Sequence, residues 1–139
     1  MIVLDTNVLS ETLRAKPADS VKRWMREQPS QSLFTTSVCE AEMFYGLALL
    51  AKGRRRSALE AMVQAIFAEG FAGRVLPFDS AAARAFAEIA ANRQAEGRPI
   101  SEFDAEIAAI ARSRGAALAT RNLDDFAGCG IELISPWSE

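Results

Sequence analysis

The sequence predicts an α/β fold: a small parallel sheet of about five strands, flanked by helices on both faces, in one domain spanning residues 1–139. Three observations predict it. Short apolar runs that stop at polar residues, Ile2-Val3-Leu4 before Asp5 being the first, read as strands buried on both faces. Helical patterns separate these runs in regular alternation, as strands joined by crossover helices require. The composition, 50% hydrophobic and 24% charged, suits one globular core, and no repeat, low-complexity tract or linker interrupts it.

Each element has a local reason. After the Ile2–Leu4 strand, Val8, Leu9 and Leu13 mark a helix that must stop before Pro17. Asp19 is placed to cap a second helix containing Val21, Trp24 and Met25. Leu33-Phe34-Thr35-Thr36 reads as the second strand, and Ser37-x-x-Glu40 as a capping box opening a helix to about Ala51. Gly53 and Arg54-Arg55-Arg56 form a joint to a helix from about Ser57 to Glu69. Val75-Leu76-Pro77-Phe78 is extended, and its proline argues for an edge position. Asp79 or Ser80 caps an alanine-rich helix that ends near Gly97. Ser101 precedes a helix from about Glu102 to Arg114, stopped by Gly115. Ala117–Thr120 and Ile131–Ile134 are the last two strands.

The chain has no histidine. That excludes Ser-His-Asp and Cys-His triads, histidine-ligated zinc and imidazole general bases. Cys39 and Cys129 form neither a disulfide framework nor a zinc motif, and read as buried thiols in a reducing compartment. The N-terminal apolar run is too short for a signal peptide, and no window is long enough to span a membrane, so a cytoplasmic location is expected. Sixteen basic residues, 13 of them arginine, against 18 acidic ones give a net charge of -2, which argues against strong non-specific nucleic-acid binding. Lys52-Gly53-Arg54-Arg55-Arg56 is the one dense basic run, read as a solvated surface joint before an RNA contact.

What remains is carboxylate chemistry. Ligands of open α/β sheets bind beyond the carboxyl ends of the strands. Asp5 and Thr120-Arg121-Asn122 sit at such ends, and Glu42 and Asp104 lie near the starts of helices, so all can reach one rim. Glu42 shares a helical stripe with Val38, Ala41, Tyr45 and Leu49 on a helix apolar enough to be largely buried. It is there either as a buried carboxylate needing a cation or as an exposed one favoured by the helix dipole. Taken alone, Asp104 reads as the partner of Ser101 in a capping box before it reads as a site residue, whereas Asp5, ending a buried strand, reads as functional before it reads as the cap of the first helix. Together, though, charges about 5 Å apart repel by roughly 3 kcal/mol at an effective dielectric near 20. Such a rim requires a cation or shifted acidities, and its all-oxygen ligands select Mg²⁺ or Mn²⁺.

Four segments resemble one known family. Met1-Ile2-Val3-Leu4-Asp5-Thr6-Asn7-Val8-Leu9-Ser10 resembles the opening of PIN-domain ribonucleases, and among them the VapC-type toxins of toxin–antitoxin pairs. Thr36-Ser37-Val38-Cys39-Glu40-Ala41-Glu42 with Tyr45-Gly46, Phe103–Ala109, and Leu118–Phe126 resemble the later motifs, and order, spacing and length resemble the FitB-like branch most. The resemblance implies a PIN-like three-layer sandwich, Mg²⁺ or Mn²⁺, and endonucleolytic cleavage of RNA. It implies Asp5, Glu42 and Asp104 as catalytic acids, with Asp5 and Asp104 as direct metal ligands and Glu42 as general base or holder of a water on the metal. Thr6, Asn7 and Thr120 would orient the acids, and Arg121 would touch a phosphate. Asn122 stands where many members have a fourth acid, which removes a charge that Asp125 nearby would restore only in part. The resemblance further implies a homodimer, a VapB-like or FitA-like antitoxin that blocks the site, and operator DNA reached only through that antitoxin, with no membrane partner. Phe34, Phe44, Tyr45 and Trp24 read as core before interface. A haloacid-dehalogenase-like phosphotransferase would need a second Asp where this chain has Asn7. A non-catalytic PIN-like module acting through its antitoxin complex is the other alternative.

Overall fold

The computed structural model describes residues 1–138. Five strands form one sheet: β1 (Ile2–Leu4), β2 (Leu33–Thr36), β3 (Val75–Leu76), β4 (Ala117–Ala119) and β5 (Leu133–Ile134). Their order is β3-β2-β1-β4-β5, and every pairing is parallel. The chain therefore winds outward from β1 through β2 to β3, then returns to the other side of β1 for β4 and β5. With right-handed crossovers, that reversal places the connecting helices on opposite faces. It also opens a crevice beyond the carboxyl ends of β1 and β4. Val3, Leu4, Leu118 and Ala119 are fully buried, which is why these strands are apolar without alternation. Two-residue β3 ends at Pro77 on the sheet edge, where a missing N–H costs no ladder bond.

Six helices flank the sheet: α1 (Thr6–Thr12), α2 (Asp19–Glu27), α3 (Ser37–Ala48), α4 (Arg54–Ala65), α5 (Ser80–Ala95) and α6 (Glu102–Ser113). Asp79 caps α5 by accepting from the Ala82 N–H at 3.0 Å, one of the two caps read from the sequence. Ser101 caps α6 through the Asp104 N–H. α6 is the centre of the core: Ile107, Ala108, Ala109, Ile110 and Ala111 are all buried. It ends in Gly115 at φ +64°, with the Gly115 N–H bonded to the Arg112 carbonyl and the Ala116 N–H to the Ala111 carbonyl. This paired closure needs a left-handed residue and turns the chain directly into β4.

Several sequence expectations are corrected. The cap of α3 is Thr36, whose side chain accepts from the Cys39 N–H at 3.0 Å, rather than a Ser37–Glu40 box. Thr36 is still extended, as a cap must be, whereas Ser37 is already helical. Asp19 is the first residue of α2 and not its cap; the Ala18 N–H is satisfied instead by Glu11 Oε2 at 2.8 Å. Arg54-Arg55-Arg56 is no joint but the first turn of α4, which stops at Ala65 and loosens into a π turn over Ile66–Gly70. α3 is not largely buried. It buries Val38, Cys39, Met43 and Leu47 while Ala41, Tyr45 and Leu49 face outward.

Candidate metal centre

Asp5 follows the last residue of β1, and its N–H pairs with the Ala119 carbonyl, which locks it against β4. Its side chain does two things at once. Oδ1 caps α1 by accepting from the Thr6 N–H at 2.8 Å, and Oδ2 accepts from the Thr120 hydroxyl at 2.7 Å. The cap and site readings of Asp5 are thus both realised in one residue. Thr120, wholly buried behind it, also receives the Asn122 N–H at 3.1 Å and the Asn7 side-chain amide at 3.4 Å. Asn7 in turn accepts from the Arg121 N–H at 3.3 Å. Glu42, one turn into α3, accepts from the Thr6 hydroxyl at 2.8 Å on Oε1. Asp104 comes from the first turn of α6, its N–H held by Ser101.

These groups line one cleft of about 490 Å³, with Asp5, Thr6, Asn7, Glu42, Asp104, Arg121 and Asn122 in its walls. Of the residues singled out from sequence, Thr120 is buried behind the cleft and Asp125 lies outside it. Asp125 lines an adjoining hollow with Arg121 and Asn122, and its neighbour Phe126 is the buried anchor of that loop. The sequence reading missed two further groups. Glu11, only 5% exposed, also lines the cleft, with Ser10 and Arg14 beside it. A polar stripe at Asn7, Ser10, Glu11 and Arg14, at helical spacing, was the available signal. Arg93 is the other. Its buried guanidinium donates to the carbonyls of Asp125 at 2.8 Å and Ala127 at 3.2 Å, and its Nε to Arg98 at 2.7 Å, fixing the loop after β4. Nothing in its alanine-rich surroundings announces that role.

The electrostatics carry a clear sign. Burial pushes the Asp5 carboxyl up to about 6 against the bonds from Thr120 and Thr6, with the charges of Asp104 and Glu42 adding to the rise. Burial also raises Glu42, opposed by Thr6 and reinforced by Asp104. It raises Asp104 too, where the bond from Ser101 and the charge of Arg93 oppose burial and the charge of Asp125 adds to it. None of the three forms an ion pair among the described residues. Clustered carboxylates that raise one another, with no protein cation bound, are a donor set that fits a hard divalent cation. The ligand atoms of Asp5, Glu42 and Cys39 all lie within 4.8 Å of one another, a group that does not include Asp104. Burial pushes that thiol up to about 11, so it stays protonated and donates to the Leu4 carbonyl. The available donors are therefore oxygens.

Fold and site together define a class: a parallel α/β protein with a carboxylate cleft for a divalent cation at the point where the sheet order reverses. The chain matches the PIN domain over residues 2–128 and belongs to that family. Among its relatives, VapC ribonuclease Y4jK of Sinorhizobium fredii is 38% identical over 137 residues, covering 99% of this chain and 98% of that protein. Toxin FitB of Neisseria gonorrhoeae is 33% identical over 139 residues, covering both proteins completely. The structure of FitAB bound to an IR36 DNA fragment superposes with a TM-score of 0.93 at 34% identity, covering 100% of this chain and 97% of that one. The fold class and the family resemblance read from the sequence are thus both borne out.

Proposed function

We propose that this protein is a metal-dependent endoribonuclease and the toxin of a VapBC-type toxin–antitoxin pair. The observation that carries the reading is the gathering of Asp5, Glu42 and Asp104 in one cleft, none of them in an ion pair among the described residues. Asp5 and Asp104 hold the ion, Mg²⁺ or Mn²⁺. When bound, it would lower the pKa of water and neutralise charge on the phosphoryl oxygens. The protein's own contribution is placement. Thr6 and Thr120 donate to Glu42 and Asp5 and fix both carboxylates before substrate arrives, a supporting role of the kind that orients metal ligands. No described residue donates to Glu42 Oε2, which leaves that oxygen to take a proton from the attacking water. Burial raises the pKa of Glu42 and brings it closer to the working pH of a general base. Asn7 and Asn122 hold Thr120 in place, and Arg121, stacked over the Trp137 ring at 5.1 Å, is set to meet a phosphate. Asn122 adds no charge, so the cleft suits one tightly held ion better than two.

The partner is an antitoxin of the VapB or FitA type, through which the protein would reach operator DNA; the related FitAB complex is bound to an IR36 DNA fragment. The outward apolar face of α3 suits a homodimer. No helix among the described residues is long and apolar enough to cross a membrane, and a cytoplasmic site of action is part of this reading. Cleavage of structured RNAs with Mg²⁺ or Mn²⁺ tests the activity, against EDTA and against Asp5→Asn. We expect loss of at least about a hundredfold in the variant, the scale of removing one preorganised electrostatic group. Metal-independent cleavage, or equal cleavage by the variant, overturns the assignment.

A further inference from the structure

One wall of the cleft is built by a single stretch of chain: Asn7, Ser10, Glu11 and Arg14. Glu11 is not a catalytic acid by position. Its Oε2 holds the Ala18 N–H at 2.8 Å, which closes the uncapped start of α2, and its Oε1 faces the Arg14 guanidinium at 3.5 Å. Both oxygens are thus committed, and what the buried carboxylate presents to the cleft is Arg14, whose side chain remains 65% exposed. At the other end of the same wall, Asn7 holds the Arg121 backbone, and Trp137 supports the Arg121 guanidinium. Arg14 lies just beyond the end of α1, past its C-cap Leu13, whereas Asn7 lies in its first turn. The cleft therefore carries its acids in the middle and an arginine at each end, each braced by a neighbour.

The charges agree with a substrate path. Asp5, Glu11, Glu42 and Asp104 oppose Arg14 and Arg121 in the lining, and one divalent cation brings the six side chains to neutrality. The two guanidiniums are then the places where further phosphates are welcome, and their planar forks match phosphate oxygens in pairs. We propose that Arg14 binds a backbone phosphate flanking the scissile one, on the side away from Arg121. Single-stranded RNA then lies along α1 with the reacting phosphate over Asp5 and Asp104. This rests on the ribonuclease reading of the cleft, and binding and cleavage separate the two.

The test measures binding of a short fluorescein-labelled single-stranded RNA by anisotropy across a salt series, in an Asp104→Asn background that blocks cleavage. Arg14→Gln is expected to weaken binding about fivefold and to reduce the slope of log affinity against log salt by about 0.7, the loss of one single-strand phosphate contact. Arg14→Lys keeps the slope while recovering only part of the affinity, because an ammonium lacks the fork. Lys16→Gln makes the same charge change on an exposed residue that does not line the cleft, and leaves both unchanged. With Asp104 intact, Arg14→Gln raises KM while kcat stays within about twofold. Unchanged affinity and slope in Arg14→Gln, or equal losses in Arg14→Gln and Lys16→Gln, overturn the contact. RNA binding that depends on Arg14 supports it even if the unsubstituted protein fails to cleave, a result that would count against the catalytic reading alone.

Discussion

α3 and α6 each deliver one acid to the same cleft, yet they are held in opposite ways. In α6, Ile107 to Ala111 are buried without a break, so the helix is wrapped on all sides below Asp104. In α3, Val38, Cys39, Met43 and Leu47 face the core, while Tyr45 and Leu49 stand 63% and 69% exposed. Glu42 lies at the border of those two faces. Both helices are apolar in sequence, so apolar composition alone does not locate the core. α6 is apolar because it is central. α3 is apolar on a side that the folded chain leaves uncovered, and with Leu50 and Met62 also exposed nearby, that side has the character of a contact surface.

The contrast breaks most directly under truncation. Ile107→Ala should cost about 2–5 kcal/mol in urea unfolding, the range for large-to-small changes at fully buried sites. Leu49→Ala should stay within about 0.5 kcal/mol at dilution, where no second chain covers it. A comparable loss in Leu49→Ala would show that the outer face of α3 is covered in solution, and sedimentation of both proteins would then identify the dimer.

A second effect comes from the burial of Asp5, to which the charges that both helices bring near it add. The Asp5 carboxyl is raised from 3.8 to about 6, so the folded state holds this proton more tightly than the unfolded chain. Without a metal ion, that contribution is complete below about 3.8 and is lost as pH rises through about 6, by up to about 3 kcal/mol. Mg²⁺ or Mn²⁺ binds the ionised form and should raise Tm more at pH about 7.5 than at pH about 5. Asp5→Asn should flatten both trends, and an equal Tm increase at the two pH values would contradict them.

The smallest effects concern the caps. Thr36→Ala should cost about 1–2 kcal/mol, because Thr36 is fully buried and water has no access to the freed Cys39 N–H. Ser101→Ala should cost nearer 0.5–1 kcal/mol, because Ser101 is exposed and solvent replaces its oxygen. Thermal denaturation of the two variants ranks them, and the reverse order would mean that burial does not set the difference.

Strand positions were legible because buried parallel strands are written as uninterrupted apolar runs, and Ile2–Leu4 and Ala117–Ala119 are both present as such. Glu42 was legible as a charge with no local reason to be where it is, and Asp5 and Asp104, each with a local capping role on offer, became legible only as members of one acidic rim. Helix starts were less so. Thr35, Thr36 and Ser37 offer three adjacent hydroxyls, and the end of the β2 ladder, a tertiary fact, chooses among them. Glu11 and Arg93 were missed because their partners are backbone groups: the Ala18 N–H for one, and the carbonyls of Arg98, Asp125 and Ala127 for the other. A sequence displays side chains, and hydrogen bonds to a distant main chain leave no mark in it. The orientation of α3 was invisible for a related reason, since both of its faces are apolar.

The bond between Thr120 and Asp5 joins residues 115 positions apart. The strand preceding Asp5 is made before β2 and β3, and its neighbour β4 only after both. Contacts of such separation close late, and a chain emerging from the ribosome acquires them only after most of its length is available. Until β4 docks, Asp5 lacks both the Ala119 carbonyl that anchors it and the hydroxyl that orients it. A chain that stops short of β4 therefore carries Asp5, Glu42 and Asp104 without the assembled cleft that places them.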